Sequence, residues 1–331
     1  MYIPPFTISA EAINLIAEIS GQIERYAIRL EQEDGLRLRK VNRIKTIHSS
    51  LAIEGNKLSE DQVRDIIDGK NVVAPIKEIQ EVKNALQAYH LMSELDAFKE
   101  KDLLKAHELM MMALVDKSGQ YRKAGVGVFD GDRCIHMAPP ADRVPALMHD
   151  LFEWVRKTDV HPLVSSCVFH YEFEFIHPFI DGNGRMGRYW QTMLLSRWKG
   201  IFAWIPVETI VKEHQQEYYD VIAKCDAAGN STAFIEFMLQ CLLDAMNSVE
   251  EEPEEDIQKV ADKVADKVAN KSAQKVLMLL YENGHLTRDE LSERTGLSLG
   301  GIKKIINSLR EGGFIERVGA NKNGYWKVNI K

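Results

Sequence analysis

No apolar run in this 331-residue chain approaches the ~20 residues that a membrane-spanning helix needs. The opening Met1-Tyr2-Ile3-Pro4-Pro5 also lacks a basic stretch followed by an apolar one, so neither a span nor a secretory leader is expected. Four cysteines, Cys134, Cys167, Cys225 and Cys241, lie far apart with no pairing motif. That excludes a disulfide framework and implies reduced thiols in the cytoplasm. His161, His170 and His177 have no zinc-ligand spacing of the HExxH or paired-Cys kind. Positive charge is not in excess either: 42 Lys and Arg against 49 Asp and Glu leave −7, which argues against wholesale coating of nucleic acid. With 45% apolar and 27% charged residues, the remaining class is a globular protein with a large core and room for a second, smaller domain.

Chemistry is concentrated in one run, His177-Pro178-Phe179-Ile180-Asp181-Gly182-Asn183-Gly184-Arg185-Met186-Gly187-Arg188. Met186, Trp190, Met193 and Leu194 follow at helical spacing, so the Gly-Asn-Gly turn predicts a helix start. Helix starts leave backbone N–H groups unpaired and carry partial positive charge, which suits phosphate oxygens. Glycines let the backbone approach an anion closely. Arg185 and Arg188, three apart, share a helix face and can fork onto a polyphosphate. From chemistry alone this is a nucleotide site with its own base, His177. A plain glycine-rich turn with a packed histidine would account for neither the arginines nor the acid.

The run also resembles the signature of the Fic (Fic/Doc) family, HxFx(D/E)GNGRxxR, and matches it at every fixed position. The resemblance implies a helical bundle that moves AMP from ATP onto a Ser, Thr or Tyr hydroxyl of a protein target. It implies that His177 takes the hydroxyl proton and that Asp181 holds Mg²⁺. Gly182, Asn183 and Gly184 would wrap the α- and β-phosphates, Arg185 would steady the β-phosphate side, and Arg188 would grip the γ-phosphate. Relatives that phosphorylate instead carry Lys where this chain has Arg185.

Around the run, residues 1–249 read as mostly helical. Apolar positions recur at Ile13, Ile16, Ile19 and Ile23, at Val82, Leu86, Tyr89 and His90, at Leu147, Leu151 and Trp154, and at Phe234, Phe237, Met238 and Cys241. Ser9, Ser59 and Thr158-Asp159 are start signals. A bundle around the motif helix is the expected architecture. One segment, 124–137, alternates apolar residues on both sides of Asp130-Gly131, a short hairpin signal. It reads either as a cap on the bundle or, by the resemblance, as a flap. In the second case Val126, Gly127, Val128, Ile135 and His136 would pair with an extended target segment. Tyr121-Arg122 before it and Pro139-Pro140 after it also look like the family.

Upstream, Ile47, Leu51 and Glu54 fall on one helical face, so Glu54 extends an apolar stripe, and Gly55 is a natural helix stop. Ser50 and Glu54 match the family's inhibitory pattern (S/T)xxxE(G/N). The resemblance implies that Glu54 pairs with Arg188 and misplaces ATP; in some relatives such a glutamate instead positions a water that removes AMP. An ordinary structural ion pair is the alternative. Tyr218-Tyr219 resembles the family's base-binding element, where Tyr219 would either stack on the base or serve as a core tyrosine. Seven residues on, this chain has Asp226 where family members often carry Asn.

The remainder divides into an acidic linker with a period-four spacer helix, 250–271, and a basic module, 272–331. The Val260, Val264 and Val268 stripe of the spacer reads as a solvated helix or as the seam of a homodimer. In the module, ten Lys and Arg outnumber six Asp and Glu, giving +4. Its predicted order, three helices and then two strands around Asn321-Lys322-Asn323-Gly324, resembles a winged helix-turn-helix. Lys303, Lys304, Arg310 and Lys322 would meet DNA; protein docking is the other use of such a module. The expected fold is therefore mainly α: an N-terminal region with the inhibitory helix (1–96), a Fic core with its hairpin flap (97–249), the linker, and the winged helix. The rival to an enzyme is a DNA-binding regulator whose core senses or docks a ligand.

Overall fold

Polar caps and glycine stops divide the chain into helices much as their chemistry dictates. The computed structural model describes residues 2–31, 35–130, 133–251, 270–282, 284, 286–318 and 325–328. It separates into two units, Met1–Asn247 and Ser248–Lys331. Lys322 and the valine stripe at 260–268 lie outside the described residues.

In the first unit the order is α1 (Ala10–Glu31), α2 (Gly35–Ile53), α3 (Glu60–Ile67), α4 (Ile76–Leu91), α5 (Glu100–Met110), β1 (Gly127–Asp130), β2 (Arg133–Met137), α6 (Val144–Lys157), α7 (Pro162–Ile176), α8 (Asn183–Trp198), α9 (Val207–Glu213), α10 (Gln215–Ala228) and α11 (Thr232–Glu251). Ser9 caps α1 by accepting from the Ala12 amide at 3.1 Å. Ser59 and Gln62 cap α3 reciprocally. Thr158 does not start a helix. It sits at the end of α6, and α7 begins at Pro162, whose fixed φ suits a first turn, with His161 accepting from the Leu163 amide. Along α1 the buried stripe is Ala12, Leu15, Ile19, Ile23 and Tyr26, whereas Ile13 faces outward. The β-branched residues at 13 and 16 mimicked a stripe that the packing places one position away.

The centre of this unit is the antiparallel pair α7 and α8. Both are buried nearly all round: α7 because it is apolar on most sides, α8 although it carries Asn183, Arg185, Arg188 and Gln191, whose polar groups are partnered within the fold. Trp190 is fully buried and its indole N–H donates to the Ala97 carbonyl at 3.1 Å. Phe169 packs edge-on to Phe152 and stacked with Phe173. The motif helix is thus the axle of the bundle.

β1 and β2 form an antiparallel hairpin with Gly127 opposite Met137 and Asp130 opposite Arg133. β1 runs through Asp130, which the Asp130-Gly131 signal assigns to the turn, and residues 131–132 lie outside the described residues. Between Val128 and Phe129 the register slips, leaving Ile135 as the extra residue of a β-bulge. The side chains of Val128, Ile135 and His136 lie outside the described set.

The second unit runs α12 (Lys271–Glu282), α13 (Arg288–Thr295), α14 (Leu299–Glu311), β3 (Ile315–Val318) and β4 (Tyr325–Val328). Val276, Leu277, Leu280, Leu291, Ile302, Ile306 and Leu309 form its core. Ser298 caps α14 through the Gly301 amide, which offsets the low helicity of Gly300 and Gly301. β3 pairs antiparallel with β4, and the Trp326 amide donates to the Gly284 carbonyl at 2.7 Å. Three helices and a two-stranded wing make a winged helix.

Truncating a large core ring beside the motif should cost about 3–5 kcal/mol. Phe169→Ala is therefore expected to lower the urea midpoint of the first unit substantially; an unchanged midpoint would contradict this packing.

Candidate active site

A tight connection between α7 and α8 builds the site. α7 ends on His177, which adopts left-handed geometry (φ 49°, ψ 60°) while its amide still donates to the Phe173 carbonyl at 2.9 Å. A non-glycine residue there is strained, by about 1–3 kcal/mol, and persists only when its surroundings hold it. Gly182, at φ 87°, begins α8 and supplies the second left-handed position that the turn requires. Asn183 does not reach outward: its amide oxygen accepts from the Phe179 N–H and its amide nitrogen donates to the Phe179 carbonyl, both at 2.9 Å. Its side chain is a strut inside the loop, and any contact with an anion would come from its backbone N–H. The first intrahelical bond of α8 runs from Met186 to Gly182. The amides of Asn183, Gly184 and Arg185 therefore precede the ladder and face the helix mouth.

The two motif arginines are occupied differently. Arg188 is buried; its Nη2 donates to Glu54 Oε1 at 2.7 Å and to the Ser50 carbonyl at 3.0 Å, and its Nε donates to Ser50 Oγ at 3.2 Å. Burial alone would lower the Arg188 pKa, but the Glu54 carboxylate, with Tyr218 and Glu174 behind it, holds it above its ordinary value. Glu54 reaches this position because α2 stops one residue earlier. Gly55, at φ 89°, donates to Ala52 and Asn56 donates to Leu51, the paired bonds of a Schellman stop. A Cβ built on Gly184 would lie 2.4 Å from Glu54 Oε1, so the carboxylate rests directly on the amino end of α8. Arg185 Nη2 bonds Asp181 Oδ1 at 3.0 Å and its Nη1 is ion-paired with Glu81 Oε1 at 3.5 Å, while its buried Nε has no hydrogen-bond acceptor. Such a donor fits an anion.

Asp181 is 46% exposed at its side chain, and its Oδ1 also accepts from the Gly182 amide at 2.6 Å. Among the described residues no cluster of three or more metal-ligating side chains exists. One exposed carboxylate beside a phosphate cradle fits Mg²⁺, which takes most of its ligands from phosphate and water. Tyr219 is 40% exposed beside the buried Tyr218, so it is not a core tyrosine; its hydroxyl accepts from Gln215 Nε2 at 3.3 Å, and the same nitrogen reaches the Ile53 carbonyl. Asp226 accepts from the Tyr171 hydroxyl at 2.8 Å. Lys303, Lys304 and Arg310 are exposed on α14, opposite its buried Ile302, Ile306 and Leu309.

Several residues to which sequence reasoning gives no role at the loop support it; of them only Arg122 is noted in the sequence, in the family-like Tyr121-Arg122 pair. His107, buried and stacked on Phe179 at 3.6 Å, accepts from the Gly119 amide at Nδ1. Its Nε2 therefore carries the proton and donates to the Asp181 carbonyl at 3.0 Å. Asn56 donates to Glu81, the neighbour of Arg185. Arg122 grips the His177 carbonyl. None has periodicity or spacing relative to the motif; each acts across 25 to 74 positions.

Residues 95–195 match the family model described as Fic/DOC family, and residues 270–316 match a winged helix-turn-helix DNA-binding model. The crystal structure of a Fic family protein from Desulfovibrio desulfuricans G20 is 44% identical and superposes with a TM-score of 0.74 over 100% of this chain and 99% of that one. The chain belongs to the Fic family. A Fic domain containing signaling protein from Bacteroides thetaiotaomicron VPI-5482, 21% identical with a TM-score of 0.60, covers 72% of this chain and 95% of its own and shares the Fic fold. Curated relatives named protein adenylyltransferase Fic include those of Aedes aegypti, 30% identical over 211 residues, and Culex quinquefasciatus, 31% over 210. Each match takes in 60% of this chain but only 40% of the relative's length.

Two buried imidazoles of this Fic protein set a pH expectation. Burial pushes His107 down to about 4 and His170, bonded to Gln191 and Tyr218, down to about 3. Between those values and 6.5 the unfolded chain binds protons that the folded chain refuses. Stability should therefore fall as pH drops below 6.5, by up to about 1.4 kcal/mol per unit for each ring. Imidazole NMR signals of both should not titrate between pH 5 and 8; a midpoint near 6.5 for either would contradict the burial.

Proposed function

We propose that this protein is an ATP-dependent adenylyltransferase acting on a hydroxyl of a protein target, held back by Glu54. One observation carries the reading. A carboxylate sits on the amino end of α8 and on Arg188, beside Arg185, whose buried Nε has no acceptor, and within one short loop of His177. That is the anion pattern of a nucleoside polyphosphate, with a base next to it. The family name shared with curated adenylyltransferases supports the same reading.

In the reaction the backbone of Gly182, Asn183 and Gly184 wraps the α- and β-phosphates, with the amides of Asn183 and Gly184 donating, and Arg185 takes the β side. Arg188, once free of Glu54, takes the γ-phosphate. The target hydroxyl gives its proton to His177 as its oxygen attacks the α-phosphorus. A new O–P bond forms, the bond from that phosphorus to the bridging oxygen breaks, and pyrophosphate leaves with the electron pair. His177 then releases the proton to solvent. A positioned base of this kind contributes about 10²–10⁴ in rate. Asp181 would hold Mg²⁺, which supplies charge neutralisation to the phosphates and the leaving pyrophosphate. Tyr219 offers the nucleoside a half-exposed ring, and the edge of the β1–β2 hairpin offers backbone bonds to the target.

With Glu54 on Arg188, the γ-phosphate loses its ligand and the α-phosphate is misaligned. Each 1.4 kcal/mol of preference for the closed arrangement slows transfer about tenfold. The family resemblance gives the same carboxylate a second use, activating a water for AMP removal, and both uses start from its seat on Arg188 and the amino end of α8. We assign the brake to residues 1–96, catalysis to 97–249 and DNA contact to 272–331, where Lys303, Lys304 and Arg310 are exposed on one side of α14. Cys167, Cys225 and Cys241 are buried and unbridged, in keeping with a reducing, ATP-supplied cytoplasm.

Glu54→Gly should raise labelling of protein by α-labelled ATP, roughly tenfold or more, and His177→Ala in that background should abolish it. Equal labelling with and without Glu54 would remove the brake, and labelling that survives His177→Ala would remove the reaction. For the second unit, Lys303→Ala and Lys304→Ala should each weaken duplex binding uniformly across sequences and reduce the salt slope by about 1. Unchanged filter binding would leave protein docking as its use.

A further inference from the structure

Arg122 lies 55 positions before the motif base, on the segment between α5 and β1. It is buried, and among the described residues no carboxylate reaches it. Its charge is instead spread over four backbone carbonyls. Nε donates to His177 at 2.8 Å, Nη1 to Ala124 at 2.9 Å, and Nη2 to Pro139 at 2.5 Å and Ile176 at 3.3 Å. Its own amide donates to the Pro178 carbonyl at 2.9 Å. Burial lowers the guanidinium's pKa, but an arginine stays charged at any physiological pH.

These acceptors come from three places. Ile176 and His177 are the last carbonyls of α7, which have no intrahelical partner and carry the negative end of the helix dipole. Ala124 stands at the foot of β1, and Pro139 follows β2. One planar group therefore closes the end of α7, holds His177 in its strained left-handed geometry, and pins both feet of the hairpin at a fixed distance from that residue. Only a rigid fork with donors on three nitrogens can do this at once; a lysine has one nitrogen.

We propose that Arg122 is the positioning residue that sets the hairpin against His177, so that a hydroxyl bound along the hairpin edge meets the imidazole in register. The inference rests on the reading of His177 as base and of the hairpin as target holder. It adds a residue with no contact to ATP in that reading, since Arg185, Arg188 and the amino end of α8 do not touch Arg122. Its loss should fall on the chemical step and spare nucleotide affinity. A displacement of about 1 Å at reacting atoms can cost about 10²-fold in rate.

The test uses the 331-residue chain carrying Glu54→Gly, with Arg122→Lys and Arg122→Gln added separately. ATP binding is titrated calorimetrically and labelling rates are counted per ATP-binding site, so unfolded molecules drop out. The expected result is a fall in kcat of about 10²-fold with the dissociation constant for ATP unchanged within error. Amide exchange should quicken in peptides covering 124–139 and 177–178 but not in those covering 186–198. Labelling in either variant equal to the Glu54→Gly parent would overturn the role. So would loss of ATP binding in both, because Arg122 would then hold the core and not the hairpin. Absence of labelling in the parent itself would instead strike the adenylyltransferase reading.

Discussion

The turn from α7 into α8 is the constraint on which this molecule depends. Two helices buried on nearly every side must run antiparallel, joined by the few residues from His177 to Gly182, and the second must still present its first amides to the outside. Close packing forces the connection to be short, and shortness forces two left-handed positions. One is supplied by glycine, the other by a histidine that ordinary backbone energetics disfavour. The surrounding groups absorb that cost: Asn183 braces Phe179 from within, His107 braces the Asp181 carbonyl, and Arg122 braces the His177 carbonyl. The motif is thus a structural solution before it is a chemical one.

The charges around the helix mouth follow from the same geometry. A buried guanidinium needs acceptors, and a helix start needs an anion. Glu54 satisfies both with a single carboxylate. Removing one member of a buried pair typically costs about 3–5 kcal/mol, but the Glu54 side chain is 27% exposed, so water recovers part of that. A polyphosphate carries more charge and more oxygens than a carboxylate and would meet Arg185 as well. Under the proposed reading two anions compete for the same donors at this site, and the outcome depends on their difference in free energy rather than on either contact alone.

Much of this was legible because its determinants are local. The motif is contiguous, its glycines and arginines stand at fixed offsets, and Gly55 marks the end of α2 without any knowledge of the fold. Ser9 and Ser59 announce helices through caps that involve the next three residues. Legibility failed where a rival local signal was present or where the contact was distant. Thr158-Asp159 has cap chemistry, yet Pro162 decides the start of α7. Ile13 looks apolar enough for the core, but the packing chose Ala12 and Leu15. The roles of Arg122, His107, Glu81 and Gln215 were unreadable for a plainer reason, although Arg122 stands in the family-like Tyr121-Arg122 pair: their partners are brought near only by tertiary packing, and a single chain of letters carries no trace of it. The winged helix was readable in order and type because each of its helices has its own cap or glycine stop.

Glu54 follows the last residue of α2 and is carried on a Schellman stop. Its carboxylate can leave Arg188 by turning about its own side-chain torsions, with every ladder bond of α2 intact. Such rotations take picoseconds to nanoseconds for exposed side chains, and microseconds or longer where a helix must melt. Under the proposed braking role the latch is a swivel on a rigid post, and the tempo of its release is set by the ion contact it breaks rather than by unwinding of the post.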